Sequence, residues 1–201
     1  MAQKRLAELV NIKAGYPFRG AVTEIIGGGV FVIQPKDVSE LGDLIPETAV
    51  ETELTGRRDA DWLKRDDVLF ISKGWRTTAC YIEQDYENLT CSPSLFILQA
   101  KAQWQNRLNM QFLAWQLNQA PAQNYFRRTA EGSGQLNIRK QTLADLIVGI
   151  PPLEKQHALA KLYQASVSEH KLLTQLINNR IQQNSLIAAD LLRQRNEDKP
   201  Q

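Results

Sequence analysis

The 201-residue sequence is poor in the side chains from which metal centres and nucleophilic sites are built. Its two cysteines, Cys80 and Cys91, lie in or beside strand-like segments and lack CxxC spacing, so buried thiols and a disulfide both stay open at this level. Its two histidines, His157 and His170, stand 13 positions apart, which is not the i, i+4 pairing of a metal-binding helix. There is no Gly-x-Ser-x-Gly elbow. The cluster Gly27-Gly28-Gly29 is not followed by the Gly-Lys-Ser/Thr of a phosphate loop and reads as a turn. Acids are plentiful, yet no pair is set apart from the solvated loop acids around it. These absences argue against an enzyme, and no catalytic residue, bound metal or cofactor is expected.

Long apolar runs are missing too. None approaches the ~18 residues of a membrane span, and the opening MAQKRLAELV has no apolar core like that of a signal peptide. A cytoplasmic protein is expected, with no membrane partner. With 43% hydrophobic and 23% charged residues the chain reads as globular, with room for one good domain plus an appendage or for two small domains. A dominant charge is absent, the formal net charge being +2, but the distribution is uneven. From Asp37 to Asp67 ten acids face four bases, and from Lys101 to Lys140 six bases face the single acid Glu131. A domain with one acidic and one basic side would account for this, as would scattered solvated charge.

What is present reads in order. Val30–Ile33, Val68–Ile71, Ala79–Ile82 and Leu95–Leu98 are strand candidates, with turns at Lys73-Gly74 and Ser92-Pro93. Residues 35–66 are polar, acidic and irregular. Leu108, Phe112, Trp115 and Leu117 mark an amphipathic helix. Pro121 then punctuates the chain, and Tyr125 to Arg128 lie on a second, shorter helix. A Gly132-Ser133-Gly134 turn leads to a helical turn at Lys140–Asp145. The compact run Leu146–Ile150 is long enough for one buried strand, and Pro151-Pro152 stop it. From Leu153 to about Arg195 there is neither proline nor glycine. Apolar residues there recur at threes and fours without a perfect heptad seam. Such a helix would be roughly 60 Å long, and one small domain cannot cover all of its apolar stripe. A partner helix is therefore needed. Leu173, Leu176, Ile177 and Ile181 lie near its centre, and the polar Arg180 and Asn184 could fix register. The tail from Asn196 is expected to fray.

The block Leu-Ile-Val-Gly-Ile-Pro-Pro-Leu-Glu-Lys-Gln (146–156), preceded by Gln135-Leu-Asn-Ile138, resembles the end of a target recognition domain of the specificity (S) subunits of type I restriction–modification enzymes. In that family a strand ending in Pro-Pro-Leu-x-x-Gln opens a long helix. Asp67-Val-Leu-Phe-Ile-Ser-Lys-Gly74 looks like the family's GDVLFS-x-x-G strand and loop, and Phe112-Leu-Ala-Trp-Gln-Leu-Asn118 looks like its following helix. The likeness spans roughly residues 5–195. Asp66 departs from it, standing where the family usually has glycine, which leaves the geometry of that turn open. A usual S subunit also has two recognition domains and two long helices, whereas these residues hold one of each.

The resemblance implies an α/β fold of the mixed α+β kind: a DNA target recognition domain over 1–150 with a twisted mixed sheet, then one long coiled-coil-type helix over 151–195 and a tail over 196–201. A chain ending near Ile150 would then keep its fold. The resemblance further implies a non-catalytic subunit that selects a bipartite site on double-stranded DNA. It would hold a methyltransferase (M) subunit, which binds S-adenosylmethionine, and a restriction (R) subunit could join. The simplest closed assembly is a homodimer with antiparallel long helices. Candidate DNA contacts are Lys73, Trp75 and Arg76 in the loop after a strand, Arg127 and Arg128 before the Gly/Ser turn, and Gln135, Arg139 and Lys140 after it. Arginine suits guanine and glutamine suits adenine in the major groove, though each of these residues also reads as ordinary exposed surface. The competing class is an interaction-only fragment that binds a methyltransferase or S subunit without reading DNA. A stand-alone DNA-binding regulator is a third.

Overall fold

A computed structural model describes residues 2–56, 59–131 and 134–197, with side chains to residue 190. In chain order the elements are Ala2–Arg5 (β1), Leu6–Leu9 (α1), Val10–Ala14 (β2), Val30–Ile33 (β3), Val50–Thr52 (β4), Val68–Ile71 (β5), Lys73–Gly74 (β6), Ala79–Tyr81 (β7), Leu89–Cys91 (β8), Leu95–Ala100 (β9), Met110–Asn118 (α2), Ala120–Thr129 (α3), Leu136–Asn137 (β10), Lys140–Asp145 (α4), Ile147–Ile150 (β11) and Leu153–Glu197 (α5). They form two compact units, residues 1–160 and 161–201. Gly132 and Ser133 of the expected turn, and the tail from residue 198, lie outside the described residues.

The runs Val68-Leu-Phe-Ile71 and Leu95-Phe-Ile-Leu98 lack the polar alternation of a half-exposed antiparallel strand. The reason is that their sheet, in the order β2-β9-β5-β7, is covered on both faces. Alternate residues feed two cores. Val68, Phe70, Phe96 and Leu98 pack with Leu113, Leu117, Phe126 and Leu143 of the helices. Leu69, Ile71, Leu95 and Ile97 pack with Ile33, Val38, Leu63 and Leu89 on the other side. The Phe70 and Phe126 rings meet at 4.9 Å. A three-stranded sheet, β4-β3-β8, closes that second side, and its β3–β8 pair is parallel. The expected mixed α+β composition holds, with the strands divided among four sheets rather than gathered in one. Cys80 and Cys91 are free, buried thiols in the second core.

Side-chain amides finish what the strands leave open. Asn118 accepts from the Ala79 N–H and donates to the Ala79 carbonyl, both at 2.8 Å, and so completes the outer edge of β7. Gln116 does the same for Gly149 of β11, at 2.8 and 3.0 Å. These are the Gln and Asn of the Phe112–Asn118 motif, and their job is to satisfy strand-edge backbone groups. Asn109 caps α2, accepting from the Phe112 N–H at 2.7 Å. Pro121 sits in the first turn of α3, where proline is tolerated. At 10 residues α3 is longer than the 9-residue α2, contrary to the expected order of lengths.

The Pro-Pro-Leu-x-x-Gln motif also acquires a physical reason. Gln156 in the first turns of α5 is fully buried. Its side chain accepts from the Asn109 N–H (2.9 Å) and donates to the carbonyls of Arg107 (3.1 Å) and Pro151 (2.9 Å). The start of α5 is therefore locked to the cap of α2. Packing of the first unit runs on through Ala160, itself 1% exposed, so a chain cut at Ile150 would lose buried partners and should not keep its fold unimpaired. Asp66 adopts φ 69°, the left-handed conformation for which glycine is best suited. The turn thus keeps a glycine-like geometry, with the Asp66 carboxylate accepting from the Tyr81 hydroxyl at 2.6 Å.

Candidate nucleic-acid interface

Two stretches more than sixty positions apart in sequence meet in one small ribbon. Strands β6 and β10 pair antiparallel, Leu136 with Gly74 and Asn137 with Lys73. The Ile138 N–H donates to the Ser72 carbonyl at 2.8 Å and extends the contact. On its other side Asn137 pairs with Glu131 through reciprocal backbone bonds of 3.1 and 3.2 Å. Gly74, at φ 155°, carries the chain out of β6 in a conformation that side-chain-bearing residues rarely adopt.

The loop after β6 is held from two sides. The Arg76 guanidinium donates to the Val38 carbonyl and pairs with Glu40 at 3.7 Å. Gln123 of α3 donates to the Thr77 carbonyl (2.7 Å) and accepts from the Thr77 hydroxyl (3.0 Å). Between these clamps Trp75 is 79% exposed. A large apolar ring at that exposure is uncommon unless something covers it. Arg127 and Arg128 are exposed in the last turn of α3, where cations offset the negative end of the helix dipole. Arg127 donates to Asn124. Arg139 pairs with Glu131 at 2.9 Å while staying 69% exposed. Gln135 is exposed in the loop and Lys140 is exposed at the start of α4. Among the described residues no side chain pairs with Lys73, Arg128 or Lys140.

The eight expected contacts are thus carried by β6 with its following loop, the end of α3, the residues that flank β10 and the start of α4. Arg76 is the exception in orientation, since its guanidinium is turned onto the Val38–Glu40 segment. Asn137 and Glu131 were not among the contacts expected from the sequence. Their place follows from strand register, and two-residue strands leave no periodic signal.

A separate polar cleft of about 590 Å³ is lined by Asn11, Asp66, Asp67, Gln99 and His157 among others. Asp67 accepts there from the Lys64 N–H and from Gln99, both at 3.0 Å. Burial pushes its carboxyl above the ordinary carboxylate value, against the effect of those hydrogen bonds. Among the described residues no group of three or more His, Cys, Asp or Glu is arranged to hold a metal ion, and no helix is long and apolar enough to cross a membrane.

A family described as the type I restriction modification DNA specificity domain matches residues 1–183. The chain belongs to this family. Solved structures similar to this specificity domain include the type I restriction–modification S subunit of M. genitalium, at 18% identity and TM-score 0.51, covering 85% of this chain and 39% of that one. The HsdS subunit of Thermoanaerobacter tengcongensis is 14% identical with TM-score 0.64, covering 92% and 47%. A chain from a structural study of complex assembly and conformational transition in the type I system is 17% identical with TM-score 0.56, covering 86% and 39%. This specificity domain therefore spans less than half the length of the structures it matches, and at these identities the likeness shows the fold. No curated protein sequence matches the chain.

Proposed function

We propose that the chain is the DNA sequence-recognition (specificity) subunit of a type I restriction–modification complex. The observation that carries this is the family match over residues 1–183. The clustering of Lys73, Arg127, Arg128, Gln135, Arg139 and Lys140 around one ribbon supports it, because polar and cationic tips on short, anchored loops are what groove reading requires. In this role Arg127, Arg128, Lys140 and Lys73 meet phosphates, Gln135 and Arg139 approach base edges, Trp75 packs against the duplex, and Arg76 reaches DNA only by leaving Val38 and Glu40. The subunit is non-catalytic. A methyltransferase subunit supplies the S-adenosylmethionine chemistry, and a restriction subunit can join.

Assembly follows from α5. Leu173, Leu176, Ile177 and Ile181 are each more than half exposed, as are Leu162, Leu172, Leu186 and Ile187. Burying each would stabilise an interface by roughly 1–2 kcal/mol. We assign this stripe to a second copy running antiparallel, so that two identical recognition domains read inverted half-sites of one bipartite site. The test is co-expression with the methyltransferase subunit, followed by mass measurement and DNA binding. The proposal expects a complex holding two copies of this chain and selecting specific DNA. It expects Leu176→Asp with Ile177→Asp to break the pairing and abolish full-site recognition. Methyltransferase binding without any DNA selectivity would favour the interaction-only reading instead.

A further inference from the structure

We infer that Asn137 reads a base edge, and that the base its amide fits is adenine. This rests on the DNA-recognition role proposed above. Register places it. Asn137 is directly opposite Glu131 on one side and Lys73 on the other. Residues directly opposed in antiparallel strands point to the same face, so Glu131, Asn137 and Lys73 form one row across the ribbon. The face is the outer one. Lys73 and Glu131 are exposed, whereas the next residue, Ile138, is 1% exposed and points into the core. Arg139, two positions on, returns to the outer face and pairs with Glu131 at 2.9 Å.

The chemistry of the row is graded. An anionic acceptor, Glu131, is held in place by Arg139. A cationic donor, Lys73, stands at the far end. Between them is a neutral amide that both donates and accepts. Asn137 is partly buried and its backbone is fixed by the ladder on both sides. Yet among the described residues nothing hydrogen-bonds its side-chain amide. Six other buried or partly buried amides of this domain, Gln99, Asn109, Gln116, Asn118, Gln123 and Gln156, bond to protein groups, whereas the partly buried Gln111 of α2 shares with Asn137 the lack of a described side-chain bond. An amide left unpaired on a rigid, polar, outward-facing row is poised for a ligand with one acceptor and one donor side by side. Adenine offers that pair in the major groove, N7 and N6–H₂, and an asparagine amide meets both at once. Lys73 next to it is placed to take the adjacent phosphate or a guanine edge.

The test uses the full chain and a randomised pool of duplexes, comparing the selected motifs and affinities of wild type, Asn137→Ala and Asn137→Asp. Wild type should select a motif containing adenine. With Asn137→Ala one adenine position should become degenerate, and affinity for the wild-type site should fall on the order of 10- to 100-fold. The slope of affinity against salt should stay the same, because an amide releases no counterion. Asn137→Asp keeps the size but only accepts, so cytosine should replace adenine at that position. Circular dichroism melts confirm that each variant is folded, as expected for a side chain with no protein partner. An unchanged motif in both folded variants overturns the inference while leaving the DNA-recognition role standing. A wild-type chain that selects no motif overturns both. A loss spread equally over all sequences with a smaller salt slope would make Asn137 part of backbone anchoring and overturn its base-reading role.

Discussion

Replacing Gln156 by alanine removes the lock between α5 and the cap of α2, and its cost can be worked from the structure. Three backbone groups lose their partner: the Asn109 N–H and the carbonyls of Arg107 and Pro151. The bond to Pro151 is buried, and the other two are partly buried. A buried group left unsatisfied costs about 1–3 kcal/mol, and a bond that water can partly replace costs about 0.5–1 kcal/mol. Together with the space left by a side chain at 0% exposure, the loss is about 3 kcal/mol. That is a large share of the ~5–15 kcal/mol that holds a domain folded. In urea, with m of roughly 1–3 kcal/mol/M, the midpoint should fall by about 1–3 M at unchanged m. Gln156→Glu should do worse, since it keeps only the acceptor and places a charge at a fully buried position. Far-UV circular dichroism against urea measures both. A midpoint for Gln156→Ala within about 0.3 M of wild type would refute the assignment of Gln156 as the lock.

Other predictions test separate parts of the account. Asp66→Gly should change stability by less than about 0.5 kcal/mol, because relief of the left-handed backbone offsets the lost, exposed bond to Tyr81, whereas Asp66→Ala should cost about 1 kcal/mol in thermal melts. The Tyr81 phenol, pushed up to about 12 by its burial and then by the Asp66 carboxylate, should titrate lower in Asp66→Gly when followed by absorbance. Because burial raises the Asp67 carboxyl, the folded state keeps that proton to higher pH than the unfolded chain does. Its stabilising contribution is full below the ordinary value of 3.8 and is lost as pH rises from there through the raised folded value. Urea midpoints should show Asp67→Asn gaining on wild type over that window, and a difference that is flat with pH would contradict the sign. Arg127→Ala with Arg128→Ala should weaken DNA binding on all sequences and lower the salt slope by about 1–2, and an unchanged slope would remove both from the interface.

How much of this was legible in the sequence depends on how each element makes its signal. Strand β5 and helix α4 fall at the expected bounds, because an uninterrupted apolar run and a short helical turn between polar flanks are local patterns. Strand β9 runs two residues further than Leu98, and β11 starts one later than Leu146, since ladder ends are set by partners rather than by hydropathy. The motif residues Gln116, Asn118 and Gln156 could be recognised as a resemblance, but their reason is non-local: each amide completes backbone that lies 33 to 49 positions away. The ribbon was not legible as one object. Lys73-Gly74 and Leu136-Asn137 carry no period, and only their pairing brings the Trp75 loop beside Gln135 and Arg139. Asn137, quoted only within the family-like segment, was not picked out as a contact for the same reason, and neither was the inward bond that occupies Arg76.

The central claim is that this chain chooses the DNA site for a methyltransferase, as a pair of identical recognition domains joined through α5. Base-resolution methylation mapping in cells expressing the chain and the methyltransferase subunit tests it most directly. The account predicts one modified motif, bipartite and palindromic, with an unspecified spacer between the half-sites, and its disappearance with Leu176→Asp and Ile177→Asp. An asymmetric motif would contradict the pairing of two identical copies, and methylation that does not depend on this chain would contradict the claim itself.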